Sequence, residues 1–301
     1  MSGDGSPLPT DGLDALVTAG RPLSEHWPPT SRYGANAVVL ANDRHGVVAR
    51  SVEALAALPD DLPPSALVGG LAVMVRLYAP HRVTTDFDEV SQGRDETIER
   101  LLSLGAQRTS SGVALVEHGV RLDLLDAELD LAELAAMATQ LSDPLERRGL
   151  ALALVCRYAL ETAVLTDIIV VEEATVVARV ALPVAVAGAL VAMKVHAALA
   201  PDRAPGKAAS DAYDAWRLVR AWGPTAVAED LSRAPVPLVL GVQADLRRLY
   251  DDDVDRTVRW LASTSVTGVE QLVAQDLEPI AGVADLLEPF TVWDQGAGVE
   301  Q

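Results

Sequence analysis

Between Ala66 and Val90 the chain changes pattern three times within a short stretch. A brief apolar run, Ala66 to Val68, breaks at Gly69 and Gly70. Leu71 to Tyr78 (LAVMVRLY) then reads as a helix, and after Pro80 the segment RVTTDFDEV alternates. The order is strand, glycine turn, helix and then strand. In the alternating segment Thr84, Asp86, Asp88 and Val90 share one face, and Val83, Thr85, Phe87 and Glu89 share the other. Two carboxylates on one face of one strand repel each other unless positive charge stands between them, and a divalent cation is the usual answer.

The surrounding segments extend this reading. Val47 to Leu58 has helical spacing and stops at Asp60, Asp61, Pro63 and Pro64. Asp95 to Leu104 reads as a helix stopped by Gly105. The runs GVALVEH and GVRLDLLD read as a hairpin turning near His118 and Gly119. Glu146 to Thr162 is a long helix. Ile168 to Val186 is β-branched, with Pro183 marking a sheet edge or a strand end. Leu190 to Leu199 and Ser210 to Trp222 are expected as helices joined by the loop PDRAPGK, and the last 80 or so residues as acidic helices. Residues 1–35, rich in Gly, Pro and Ser, are expected as a loosely packed leader.

Charge narrows the function classes. Among 301 residues there are 24 basic and 43 acidic side chains, a formal charge of −19, which argues against coating nucleic acid or anionic membrane by bulk charge. Only residues 140–220 are balanced, with 9 basic and 9 acidic. The only two lysines, Lys194 and Lys207, both fall there. In a chain that otherwise uses arginine, a compact ammonium is the choice where a point charge must approach a phosphate closely. The N-terminal residues show no basic start and no apolar run, so the cytoplasm is the expected compartment. The longest uncharged apolar run, Val180 to Met193, is too short to span a bilayer and contains Pro183, so no membrane partner is expected.

Chemistry gathers around the paired aspartates. Asp123, in GVRLDLLD, shares a strand face with Arg121 and Leu125. A third acid on a neighbouring strand would complete a two-metal site of the kind that clamps the attacking and leaving oxygens of a phosphoryl transfer. Gly69 and Gly70, lacking Cβ atoms, open the backbone N–H groups of a helix start to a triphosphate. Plainer readings stand for other residues. Tyr213 and Trp216 are expected in the core, and Cys156 as a small buried hydrophobe. The five histidines lack zinc spacing, and Asp251 to Asp255 (DDDVD) is a solvated run.

The pattern VGGLAVMVRLYAPHRVTTDFDEV with RLDLLD resembles the DNA polymerase β-like nucleotidyltransferase superfamily. The closer resemblance is to its AbiEii/AbiGii-type, MenT-like toxin branch. That branch shows GG-x-A, then R-x-S/T-x-D-x-D, then a Pro-bearing strand, a Lys-bearing helix and a K/R-D-x-x-D segment. Here these are Gly69, Gly70 and Ala72; Arg82, Thr84, Asp86 and Asp88; RVALPVAVAGALVAMKVHAAL; and SDAYDAWRL. The match runs from about Ala66 to Leu218. It departs from the family at Ser210, where a basic residue usually precedes the D-x-x-D aspartate; Lys207 lies one turn earlier.

The resemblance implies an α+β fold. A polymerase β-like core of small mixed sheet and flanking helices spans 36–140, and 141–220 complete the active site. A mainly helical region covers 221–301. It implies two Mg2+ ions on Asp86, Asp88 and Asp123, with an NTP as substrate. Asp123 would also orient the acceptor hydroxyl. Lys194 would neutralise the outer phosphates, and Asp211 would fix Lys194 or assist proton transfer. Gly69, Gly70, Arg82, Thr85 or Thr84, and Lys207 would contact the nucleotide. The implied reaction is NMP transfer to the 3′ end of tRNA by a toxin paired with an antitoxin protein. Arg147, Arg148, Arg157, Arg203, Arg217 and Arg220 are the expected tRNA contacts. Two alternatives stay open: nucleotidylation of a small molecule, such as an antibiotic, or of a protein, and a non-catalytic nucleotide-binding protein of the same fold.

Overall fold

The computed structural model describes residues 36–42, 44–78, 86–141, 144–173, 175–264 and 272–292. The expected leader, Arg82, Thr84 and Thr85 lie outside them. The elements run β1 (Ala37–Ala41), α1 (Val47–Ala56), β2 (Ser65–Val68), α2 (Gly69–Leu77), β3 (Asp86–Ser91), α3 (Arg94–Ser103), β4 (Gln107–Arg108), β5 (Gly112–Leu115) and β6 (Val120–Asp126). Next come α4 (Leu131–Gln140), α5 (Pro144–Glu161), β7 (Val164–Glu172), β8 (Thr175–Val184), α6 (Ala187–Ala198), α7 (Pro205–Trp222), α8 (Pro224–Leu231) and α9 (Val236–Arg247). A π-helical turn at Arg248–Asp252, α10 (Val254–Ala262), a 3-10 turn at Ala274–Leu277 and α11 (Glu278–Val292) follow.

The chain is α+β, built on one mixed sheet of eight strands in the order β1-β7-β8-β2-β3-β6-β5-β4. Strand β2 lies at its centre, antiparallel to β3 and parallel to β8, and β3 runs parallel to β6. Because β2 hands over to α2 with no intervening loop, the N-terminus of α2 is delivered to the β2–β3 boundary. One continuous buried core runs from Val38 in β1 to Leu287 in α11, so the C-terminal helices share the core of the sheet. Buried Arg76 of α2 donates to the carbonyls of Val184 and Ala185, at 2.5 and 2.8 Å. That tie fixes the entry of α6 relative to α2.

Two elements differ from the sequence expectation, while Pro183 takes the strand-end one of its two expected positions. The β-branched stretch is a hairpin, β7 and β8, that starts at Val164. Pro183 ends a strand that lies inside the sheet between β7 and β2. It is tolerated because β2 pairs with β8 only at Leu67 and Val184, leaving the Pro183 nitrogen outside that ladder. Helix α7 begins at Pro205 rather than Ser210, since proline at the first helical position gives up an N–H that has no intrahelical partner. Lys207 is therefore on a helix, one turn before Asp211. No helix among the described residues is long and apolar enough to cross a membrane.

Candidate active site

The pairing of β3 with β6 builds the acidic face. Asp88 stands opposite Asp123 and Asp86 opposite Arg121, so the pleat turns all four side chains to one side of the sheet. Nη2 of Arg121 donates to Oδ2 of Asp86 at 2.6 Å and to Oδ2 of Asp123 at 3.1 Å. The two carboxylates thus flank a single nitrogen. Nε of Arg121 lies 3.0 Å from Oδ1 of Asp123 yet makes no hydrogen bond, because its N–H is not aimed at that oxygen. Ser111, on the loop before β5, donates to Oδ1 of Asp123 at 2.6 Å and helps hold that carboxylate.

Asp88 is different. Gly69, in the left-handed region at φ +67°, leaves its missing Cβ position filled by the Asp88 carboxylate. Burial pushes the Asp88 carboxyl up to about 6; Lys194 draws it down, while Asp86, Asp123 and Asp211 add to the rise. No hydrogen bond or ion pair to its side chain is found among the described residues.

Behind it lies a buried ionic cluster. Lys194, 7% exposed, reaches Oδ1 of Asp211 and Oδ2 of Asp214, each at 2.8 Å. Arg203 takes the other oxygen of Asp211 through Nε at 2.8 Å and Nη2 at 2.5 Å. The packing of α6 on α7 makes this possible, with Arg203 supplied by the loop between them. Both oxygens of Asp211 are occupied by cations, which favours the fixing of Lys194 over proton transfer.

Asp88, Lys194, Arg203, Lys207 and Asp211 line a cleft of ≈ 970 Å³, together with Gly69, Arg148 and His196. One wall is apolar, formed by Leu125, Leu152, Leu190 and Met193. Asp86 and Asp123 sit alongside Asp88 but outside this lining.

The structure therefore brings together Gly69, Asp86, Asp88, Asp123, Lys194, Lys207 and Asp211. Gly70 is buried within α2 and does not line the cleft. Arg121, Ser111, Asp214 and a site position for Arg203 were missed. Arg121 and Asp214 had visible signals, an arginine sharing the strand face of Asp123 and the second aspartate of the D-x-x-D segment. Among the described residues, no three acids, histidines or cysteines are grouped so as to hold a metal ion. Arg121 is the cation between Asp86 and Asp123.

The arginines expected to meet tRNA are dispersed. Arg148 donates to the His196 carbonyl, and Arg157 is committed to Glu161 and the Ala127 carbonyl. Arg203 lies before the start of α7, while Arg217 and Arg220 cover Tyr213 and Trp216 toward its far end. The backbone of Arg147 lies in α5. Tyr213, Trp216 and Cys156 are buried as expected, and burial pushes the Cys156 thiol up to about 12. No protein-family model matches the chain, and neither a curated protein nor a solved structure matches it.

Proposed function

We propose that this chain is a metal-dependent nucleotidyltransferase with a polymerase β-like core, moving an NMP from an NTP to an acceptor hydroxyl. The acceptor is the 3′ end of tRNA, and the chain acts as the toxin of a toxin–antitoxin pair. One observation carries the catalytic part. Asp88 is desolvated and has no direct partner among the described residues, yet it stands at the head of the ≈ 970 Å³ cleft, backed by Gly69. Asp88 is half-buried, and a partly desolvated carboxylate with no partner gains from a ligand that joins it. Oxygen donors on Asp86, Asp88 and Asp123 suit Mg2+ in kind. Divalent cations held by these three aspartates would supply positive charge to the reacting phosphate and make the acceptor hydroxyl a better nucleophile.

The chain's own groups position and neutralise. Gly69 brings the start of α2 beside the phosphates. Lys194, Lys207 and Arg203 face the β- and γ-phosphates, with Asp211 and Asp214 fixing the ammonium of Lys194. Ser111 orients Asp123 toward the acceptor. The acceptor hydroxyl gives its proton to the Asp123 carboxylate it faces, its oxygen bonds the α-phosphorus as the bond from that phosphorus to the bridging oxygen breaks, and pyrophosphate leaves. Incubation with total tRNA, labelled NTPs and Mg2+ is expected to label tRNA, and Asp86→Ala sets the background. Label no higher than that background removes the tRNA reading.

A second acceptor class has its own support. The dispersed arginines and the −19 charge favour a small cationic hydroxylated molecule, such as an aminoglycoside, over a polyanion. Growth arrest on expression favours the toxin, and raised drug tolerance without arrest favours the small acceptor. Nucleotide binding indifferent to Asp123→Asn, with no turnover by the unaltered chain, would identify a non-catalytic nucleotide-binding protein.

A further inference from the structure

Building on the proposed reaction, we infer that Arg121 is a positioning residue that makes divalent-cation binding depend on nucleotide. Its guanidinium stands where a cation shared by Asp86 and Asp123 would have to stand. Nη2 touches both carboxylates, and Nε is 3.0 Å from Asp123. Two cations cannot hold that place together, so a metal must displace the arginine.

The arginine is built to be displaced. Its side chain is 43% exposed, so it has somewhere to go. Its grip is incomplete, since Nε is buried without a hydrogen bond and the planar fork is not engaged in two parallel bonds to either carboxylate. Contrast Arg203, whose Nε and Nη2 both bond Asp211, and Arg179, which grips Asp167 through two parallel bonds. Once displaced, the guanidinium loses two anionic partners. A triphosphate arriving beside Asp88 supplies replacements, and a guanidinium suits phosphate oxygens well. Metal alone therefore meets a competitor, whereas metal with nucleotide meets one that has a new partner. The coupling is reciprocal, so the metal also strengthens nucleotide binding.

The test is the affinity of the full-length protein for Mn2+, read by electron paramagnetic resonance or calorimetry, with and without a non-hydrolysable NTP analogue. The unaltered chain is expected to bind Mn2+ weakly alone and about tenfold or more tightly with the analogue. Arg121→Gln is expected to bind Mn2+ alone about tenfold more tightly than the unaltered chain, and to lose most of the coupling. Arg121→Lys, which keeps the charge without the fork, should fall between them. Equal Mn2+ affinity in the unaltered chain and both variants overturns the role of Arg121 and leaves the proposed reaction standing. Absence of Mn2+ binding in all three, with or without the analogue, overturns both.

Discussion

A Cβ added to Gly69 would stand 1.9 Å from Oδ2 of Asp88, closer than any non-bonded carbon and oxygen can approach. The contact explains why a glycine is needed there, beyond its φ of +67°. An alanine must either turn the Asp88 carboxylate away or pull the start of α2 off β3.

Gly69→Ala is therefore expected to abolish nucleotidyl transfer and weaken nucleotide binding at least tenfold. Its stability cost should exceed the roughly 1 kcal/mol of a left-handed backbone penalty. Gly105→Ala is the control, since Gly105 also has positive φ, at +98°, but nothing lies within 4 Å of its added Cβ. Thermal melts and nucleotide titrations of the two variants separate backbone strain from displacement of Asp88. Equal behaviour would mean that the close approach to Asp88 has no consequence.

Ser111→Ala removes the 2.6 Å hydrogen bond that orients Asp123. Removing such an outer partner of a ligating carboxylate costs on the order of tenfold in activity or metal affinity. The melting temperature should barely move, because Ser111 lies on a loop and its backbone carbonyl still accepts from Leu124 N. A fall in kcat with an unchanged melt is the expected pattern; unchanged kcat would remove Ser111 from the site.

Lys194 is held between two buried aspartates, so its removal leaves negative charge in the interior. Lys194→Met is expected to cost about 3–5 kcal/mol of stability. Adding Asp214→Asn should restore part of that loss, because one uncompensated carboxylate is then gone, and the shortfall from additivity measures the interaction. Denaturant titration of the two single variants and the double variant reads it. Strict additivity would show that the 2.8 Å contact between Lys194 and Asp214 carries no energy.

These residues also show what the sequence could and could not reveal. The shared face of Asp86 and Asp88 follows from a period of two, which is local. That Asp88 faces Asp123 depends on β3 and β6 pairing in parallel across an intervening helix and two strands, and nothing in either segment sets that register. Arg121 was visible beside Asp123, but its partner Asp86 becomes a neighbour only through the same register. The grip of Asp214 on Lys194 was hidden by helix packing. The place of Lys207 one turn before Asp211 is legible from spacing alone, although the helix carrying both begins at Pro205 rather than at Ser210.

Glu89 provides a test remote from the cleft. It lies on the face of β3 opposite Asp86 and Asp88, 4% exposed, and burial pushes its carboxyl up to about 7, with the Ser65 hydrogen bond opposing. The unfolded chain releases that proton near 4.5, whereas the folded chain keeps it until about 7. Stability attributable to Glu89 is therefore fully present below pH 4.5, falls as pH rises to about 7, and is flat above. The total is on the order of 3 kcal/mol. Glu89→Gln keeps the shape and a hydrogen-bonding group for Ser65 but cannot ionise. Its melting temperature should match the unaltered chain near pH 4 and exceed it at pH 8, with the difference opening between those limits. Other titrating groups cancel in the comparison, so parallel melting curves across that range would show that Glu89 ionises as readily in the folded chain as in the unfolded one.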